Sequence, residues 1–213
     1  MSDIFREIDE ELRRDNWLKL WQRYGKYVIA LAVVAVAATA LVVGWREYQL
    51  RQRQAEGVRY AAALDLAQRG KDKDAADAFA AVAQNSKAGR AILARFEEAA
   101  LDTKSGDGDS ALAIYDAIAK DGAADRTYRD LATLLAARIE MTKNPKGAAD
   151  RLQPLTDAAN PWHATALELS AVAALQQGDK AGARALYQRL ADDLAAPQGA
   201  RARAAEMVAA LGQ

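Results

Sequence analysis

Between Lys26 and Arg46 lies a run of nineteen residues, YVIALAVVAVAATALVVGW, that holds no charged side chain. Whatever else the chain does, it has to place this segment, Tyr27 to Trp45. A helix rises about 1.5 Å per residue, so the run comes close to the roughly 30 Å hydrocarbon core of a bilayer. In lipid every backbone N–H and C=O must be bonded internally, and a helix does that. Trp21, Tyr24 and Tyr27 gather at one end and Trp45 and Tyr48 at the other, as aromatic side chains do at membrane–water interfaces. The segment reads as one transmembrane helix. Two other readings compete. A buried core helix is ordinarily shorter and broken by polar residues. A cleaved leader is suggested by Ala38-Thr39-Ala40, which fits the small-residue cleavage pattern. Against cleavage, the apolar run continues through Leu41, Val42 and Val43, and the 26 residues ahead of it carry as many acids as bases.

Roughly 165 of the 213 residues follow the span, enough for one domain with a core of its own. Alanine dominates them, and the whole chain has only 13 glycines and 4 prolines, which favours helix throughout. The first 45 residues hold six bases and six acids against totals of 29 and 29. Neither part is therefore a charged arm, and a nucleic-acid binder would show a basic face or excess. There is no cysteine, hence no disulfide and no thiolate metal site, which suits an oxidising compartment without requiring one.

Taken in order, the chain divides into a tail over 1–26, the span over 27–45, a helical connector over 46–57 and a domain over 58–213. Residues 2–24 read as an amphipathic helix capped by Ser2 or Asp3, with Ile4, Phe5, Ile8 and Leu12 on one stripe. Glu10 with Arg14, and Asp9 with Arg13, are supporting i,i+4 pairs. Such a tail is either a docking or regulatory element or an extension lying on the headgroups. Within 15 residues of the span, five bases precede it and four follow it, which only slightly favours an inside N-terminus. Ala40 with Gly44, and Ala35 with Thr39, place small residues four apart, a spacing that admits a second helix closely. From Arg46 to Gln68 only Gly57 interrupts, so the membrane helix is expected to run on into the domain.

Four segments of that domain answer one another. Gly70, Ala75, Phe79 and Val82 recur as Gly106, Ala111, Tyr115 and Ile118, as Lys143, Ala148, Leu152 and Leu155, and as Gly178, Ala183, Tyr187 and Leu190. The third position of each set advances by 36, 37 and 35 residues. Each unit reads as helix, tight turn and helix. Glycine ends the first helix because it accepts a left-handed conformation without a Cβ penalty. The small alanine lets the two axes approach, and the large residue four positions on fills the gap between units. One hairpin cannot bury its own apolar face, so the units must stack. The pattern resembles the tetratricopeptide repeat, and Asp107 and Asp179, each directly after its glycine, match it as well. The fold class is thus all-α, one N-terminal transmembrane helix followed by an α-α superhelix of degenerate tetratricopeptide-like hairpins. Asn160-Pro161 is expected to start a helix, and residues 200–211 to form a terminal capping helix.

Catalytic chemistry is hard to find. His163 is the only histidine, with no cysteine or second histidine to share a metal, and reads as structural or solvent-facing. The acids are scattered among lysines and arginines at helical spacing, as on solvated faces. Ser105-Gly106-Asp107-Gly108-Asp109 falls short of a calcium loop, since Ile118 or Ala119 stands where a glutamate is needed; it reads as a turn. With no strand expected, no glycine-rich phosphate loop can follow one. No enzyme, cofactor, metal or small-molecule substrate is indicated. A stack of hairpins offers instead a concave groove lined by the first helix of each unit. Counting back from each turn places Tyr60, Leu64, Phe96, Ala100, Thr133, Ala137, Glu140, Glu168 and Val172 in it, apolar toward the N-terminal half and more polar beyond. Apolar grooves take extended or helical hydrophobic segments. Tyr60 and Phe96 read equally well as core.

Trp21, Tyr24-Gly25-Lys26, the span, Gly44-Trp45-Arg46 and Tyr48, followed by degenerate repeats, together resemble the single-pass, tetratricopeptide-like ancillary subunits of the bacterial Sec translocon. That resemblance implies a cytoplasmic N-terminus, an inner-membrane anchor and a periplasmic repeat domain. It also implies partners: the translocon, a membrane-anchored periplasmic folding factor and translocated clients. The function expected on this basis is a non-enzymatic interaction adaptor assisting periplasmic chaperones. The alternative is an assembly or scaffold subunit of another inner-membrane complex, respiratory or cell-envelope. A cell-wall hydrolase is a remote third, lacking a visible catalytic pair.

Overall fold

The computed structural model describes residues 2–86 and 88–212, and the side chains of these apart from 2–20, 22, 28, 32 and 88. It divides into two compact units, Met1–Ala55 and Glu56–Gln213. No strand occurs among the described residues, as an alanine-rich chain poor in glycine and proline requires.

Helix α1 runs from Ser2 to Gln68. The tail and connector helices anticipated over 2–24 and 46–57 are therefore parts of one element. The side chains of the stripe Ile4, Phe5, Ile8 and Leu12, and of the pairs Glu10–Arg14 and Asp9–Arg13, lie outside the described residues. Within α1 an 18-residue window reaches a mean hydropathy of 2.6 with none of it buried, long and apolar enough to cross a membrane. Trp21, Tyr24, Tyr27, Trp45 and Tyr48 are all exposed. Arg23 and Lys26 lie over the Tyr24 and Tyr27 rings, 5.9 and 5.2 Å from their centroids. The Trp21 indole lies so close over Gly25 that a Cβ there would meet it at 3.2 Å. Thr39 donates to the Ala35 carbonyl of its own helix at 2.8 Å, which satisfies the hydroxyl locally.

The described residues of the second unit hold the last turns of α1 and eight further α-helices: α2 (Asp72–Asn85), α3 (Ala88–Lys104), α4 (Gly108–Lys120), α5 (Arg126–Glu140), α6 (Pro145–Leu152), α7 (His163–Gln176), α8 (Lys180–Asp192) and α9 (Gln198–Leu211). A 3-10 turn, Gln153–Thr156, follows α6. All twelve repeated non-turn positions are buried, from Ala75, Phe79 and Val82 through to Ala183, Tyr187 and Leu190. Each core joins the two helices of a hairpin to the first helix of the next. Ala63, Phe79 and Leu101 share one cluster, Ile92, Tyr115 and Ala136 a second, Leu134, Leu152 and Ala173 a third, and Leu167, Tyr187 and Ala204 a fourth. Every first helix after α1 thus buries two faces; α3 gives Ala94 and Leu101 backward and Ile92 and Ala99 forward. This is the nearest-neighbour stacking of a solenoid.

Gly70, Gly106 and Gly178 adopt φ of +74°, +87° and +80°. After each, the next residue's N–H bonds back five residues, as in Asp107 N to Asp102 O at 2.8 Å, so each turn closes as a Schellman motif. The aspartate after two of the glycines then caps the following helix: Asp107 accepts from Ser110 N and Asp179 from Gly182 N. The third turn is built differently. Lys143 N and Asn144 N both bond to Glu140 O, Asn144 accepts from Gly147 N, and Pro145 opens α6.

One helix start differs from expectation. Asn160 does not cap α7, which begins at His163 with Trp162 before it. Asn160 is buried, its side chain accepting from Trp162 N and donating to Asp130 at 2.8 Å. A polar side chain with a tertiary partner tightens the turn instead of opening the helix. The C-terminal helix begins at Gln198, directly after Pro197.

Candidate functional site

The first helices α3 and α5 are neighbours across the second hairpin, and the space between them is incompletely filled. A cavity of about 420 Å³ opens there, lined on α3 by Leu93, Phe96, Glu97, Ala100 and Thr103, on α5 by Tyr128, Leu131, Leu135, Arg138 and Ile139, and by Tyr115 of α4. Its size falls in the range of known binding sites. Phe96 sits between two rings, with centroids 5.9 Å from Tyr115 and 6.2 Å from Tyr128. It is half-buried, while Leu93 is 44% exposed. The surface is apolar and aromatic, with hydroxyls and two charges at its margins.

Those charges behave differently. Burial raises the Tyr60 phenol above its ordinary value, and the neighbouring Glu97 carboxylate adds to this. Burial also raises Tyr115, while the Arg138 guanidinium pulls it back.

Of the nine residues assigned to a groove from the repeat spacing, Phe96 and Ala100 are brought together in this cavity. Tyr60 and Leu64 pack against the first core, Tyr60 edge-on to Phe79 at 5.2 Å. The remaining five form no continuation of it. Ala137 is fully buried against the third hairpin, so it is core and not groove. Thr133 donates to the Arg129 carbonyl at 2.9 Å. Glu140 pairs with Arg151, Glu168 pairs with Arg203 at 2.9 Å, and Val172 packs on the third core.

The reason is rotational. Counting from the turns selects the same face on every first helix, but a cavity between neighbours is walled by faces that oppose one another. On α5 the lining residues are Tyr128, Leu131, Leu135, Arg138 and Ile139, whereas Thr133 and Ala137 stand two positions beyond Leu131 and Leu135, about 200° around the helix. The 3-and-4 spacing of Tyr128, Leu131, Leu135 and Arg138 was the available signal.

Outside the groove, His163 is buried, its Nδ1 2.8 Å from the Thr156 carbonyl and its Nε2 3.2 Å from Asp193. It joins the loop after α6 to the loop after α8. Among the described residues no three His, Cys, Asp or Glu side chains are grouped to hold a metal. Residues 105–107 form a turn, and Gly108 and Asp109 already open α4.

A family model described as a tetratricopeptide repeat-like domain matches residues 18–208, taking in the apolar run as well as the hairpins. No curated protein matches the chain.

Proposed function

From its membership of the tetratricopeptide repeat-like domain family, to which the chain belongs, we propose that this protein is a membrane-anchored adaptor that binds partner proteins in the α3–α5 groove and catalyses nothing. Repeat domains of this kind are protein-interaction modules. The observation that carries the reading is the open, aromatic cavity around Phe96, a surface that an apolar segment can enter and water gains little by filling. The apolar stretch of α1 serves as a single-pass anchor. Its uncharged run flanked by exposed aromatics and its inclusion in the family match both support an anchor over a removable leader.

The flanking pattern of Trp21, Tyr24-Gly25-Lys26 and Gly44-Trp45-Arg46 favours an ancillary subunit of the bacterial Sec translocon. The N-terminus then lies in the cytoplasm, the anchor in the inner membrane and the repeat domain in the periplasm. There it would hold a membrane-anchored folding factor or a translocated client beside the channel. The test is photocrosslinking in intact bacterial cells, with the reactive group at Ala100 or Leu131 in the groove and at Val36 in the span. Adducts of the span with the channel, and of the groove with a folding factor or client, are expected. Adducts confined to a respiratory or cell-envelope complex would make the chain an assembly subunit of that complex instead.

A further inference from the structure

The groove presents one carboxylate, Glu97, and one guanidinium, Arg138. Glu97 lies beside the Tyr60 phenol and helps to raise its pKa. Arg138 lines the same cavity and is exposed, and among the described residues it forms no ion pair. Other arginines of these hairpins do: Arg95 lies 3.7 Å from Asp121, and Arg151 pairs with both Asp116 and Glu140. A guanidinium beside an apolar wall is matched best by a carboxylate, because its planar fork takes both oxygens at once. Chain termini are ordinarily captured by several donors arranged as a nest; a single guanidinium matches one side-chain carboxylate. Tyr128 and Arg138 stand ten residues apart on α5, about 15 Å along its axis. The Tyr128 ring, with Phe96 of α3 beside it, marks one end of the cavity's α5 wall and the charge the other.

Building on the groove reading above, we infer that the occupant is an amphipathic helical segment of a partner protein. It seats large apolar side chains against Phe96, Tyr128 and Leu131, and it delivers an aspartate or glutamate side chain to Arg138. A segment with lysine or arginine at that point sets like charges together beside the apolar wall, which selects against it.

The probe is a set of three fluorescent amphipathic peptides with leucines at i, i+3, i+4 and i+7. They differ at one position about ten residues beyond the first leucine, which carries Glu, Gln or Lys. Each is titrated by anisotropy against the full chain in detergent micelles at low salt. The Glu peptide is expected to bind about tenfold more tightly than the Lys peptide, with Gln between. The order reverses in Arg138→Glu and flattens in Arg138→Gln; the side chain is exposed, and circular dichroism verifies that both variants keep their helix. Equal binding of the three peptides, or a Glu preference that survives in Arg138→Glu, overturns the inference and leaves the groove reading in place. Binding of no peptide also overturns it, and crosslinking from Ala100 then judges the groove reading separately.

Discussion

Lys143 Nζ lies 2.6 Å from Asp109 Oδ1, tying the one repeat turn built without a left-handed glycine to the first turn of α4, the second helix of the hairpin before it, 34 residues away. Both side chains are mostly exposed, so the link orients more than it stabilises. Lys143→Ala should shift stability by no more than about 0.5 kcal/mol. Gly106→Ala should cost about 1–2 kcal/mol, because φ is +87° and a Cβ would meet nothing within 4 Å, leaving only the backbone penalty. Urea unfolding of the full chain in detergent, followed by circular dichroism, compares the two.

Two aromatic substitutions separate core from groove. Phe79 is fully buried, and Phe79→Ala should cost about 3–5 kcal/mol. Phe96 is half-buried at the cavity, and Phe96→Ala should cost about 1–3 kcal/mol, leaving the helical signal intact while groove crosslinks fall away. Unfolding of the Phe96 variant at room temperature would make that ring a core residue.

Arg151 sits between Asp116 and Glu140, and the Asp116 bond is the larger cause of its raised pKa. Arg151→Met leaves two partly buried carboxylates facing each other, and about 1–3 kcal/mol should be lost. A companion change of Asp116 to Asn should recover part of that loss in a double-mutant cycle.

Asp102 and Asp107 predict opposite pH behaviour. Asp102 is raised mainly by burial, then by Asp107 and Asp77. An acid raised in the folded state binds its proton more readily there, so its ionisation opposes folding above the carboxylate range. Asp102→Asn should therefore raise Tm at pH 7, with the gain vanishing as pH falls through that range. Asp107 is lowered, chiefly by the Ser110 backbone N–H it caps. Its contribution is present at neutral pH and lost as pH drops through its depressed folded pKa, so Asp107→Ala should lower Tm at pH 7 but not in strong acid.

The anchor is tested by alkaline extraction. The chain should stay in the membrane pellet with its N-terminus intact, and Val36→Lys, at the centre of the apolar window, should weaken retention, since a central charge costs about 3 kcal/mol. A soluble product beginning after Ala40 would identify a leader instead.

Much of the fold was legible because the informative residues act locally. Gly70, Gly106 and Gly178 mark turns by backbone chemistry alone, and Ala111 and Tyr115 announce a packed face by their spacing. The groove was less so. Phe96 and Ala100 could be placed from their own turn, but Tyr128, Leu131 and Arg138 belong to the opposing wall. Which side of α5 confronts α3 depends on how two hairpins rotate against each other. Asn160 misled for the same reason: its partner Asp130 is 30 residues away, and no local pattern carries that contact.

The sharing of each first helix between two cores has a mechanical corollary. Load applied at either extremity of the repeat array cannot strip off a hairpin cleanly, because the break would pass through a helix that the neighbour also needs. Detachment of α9 would bare Leu167, Tyr187 and Leu190 and so invite the next pair to follow, making the array yield progressively from its ends instead of snapping at a seam.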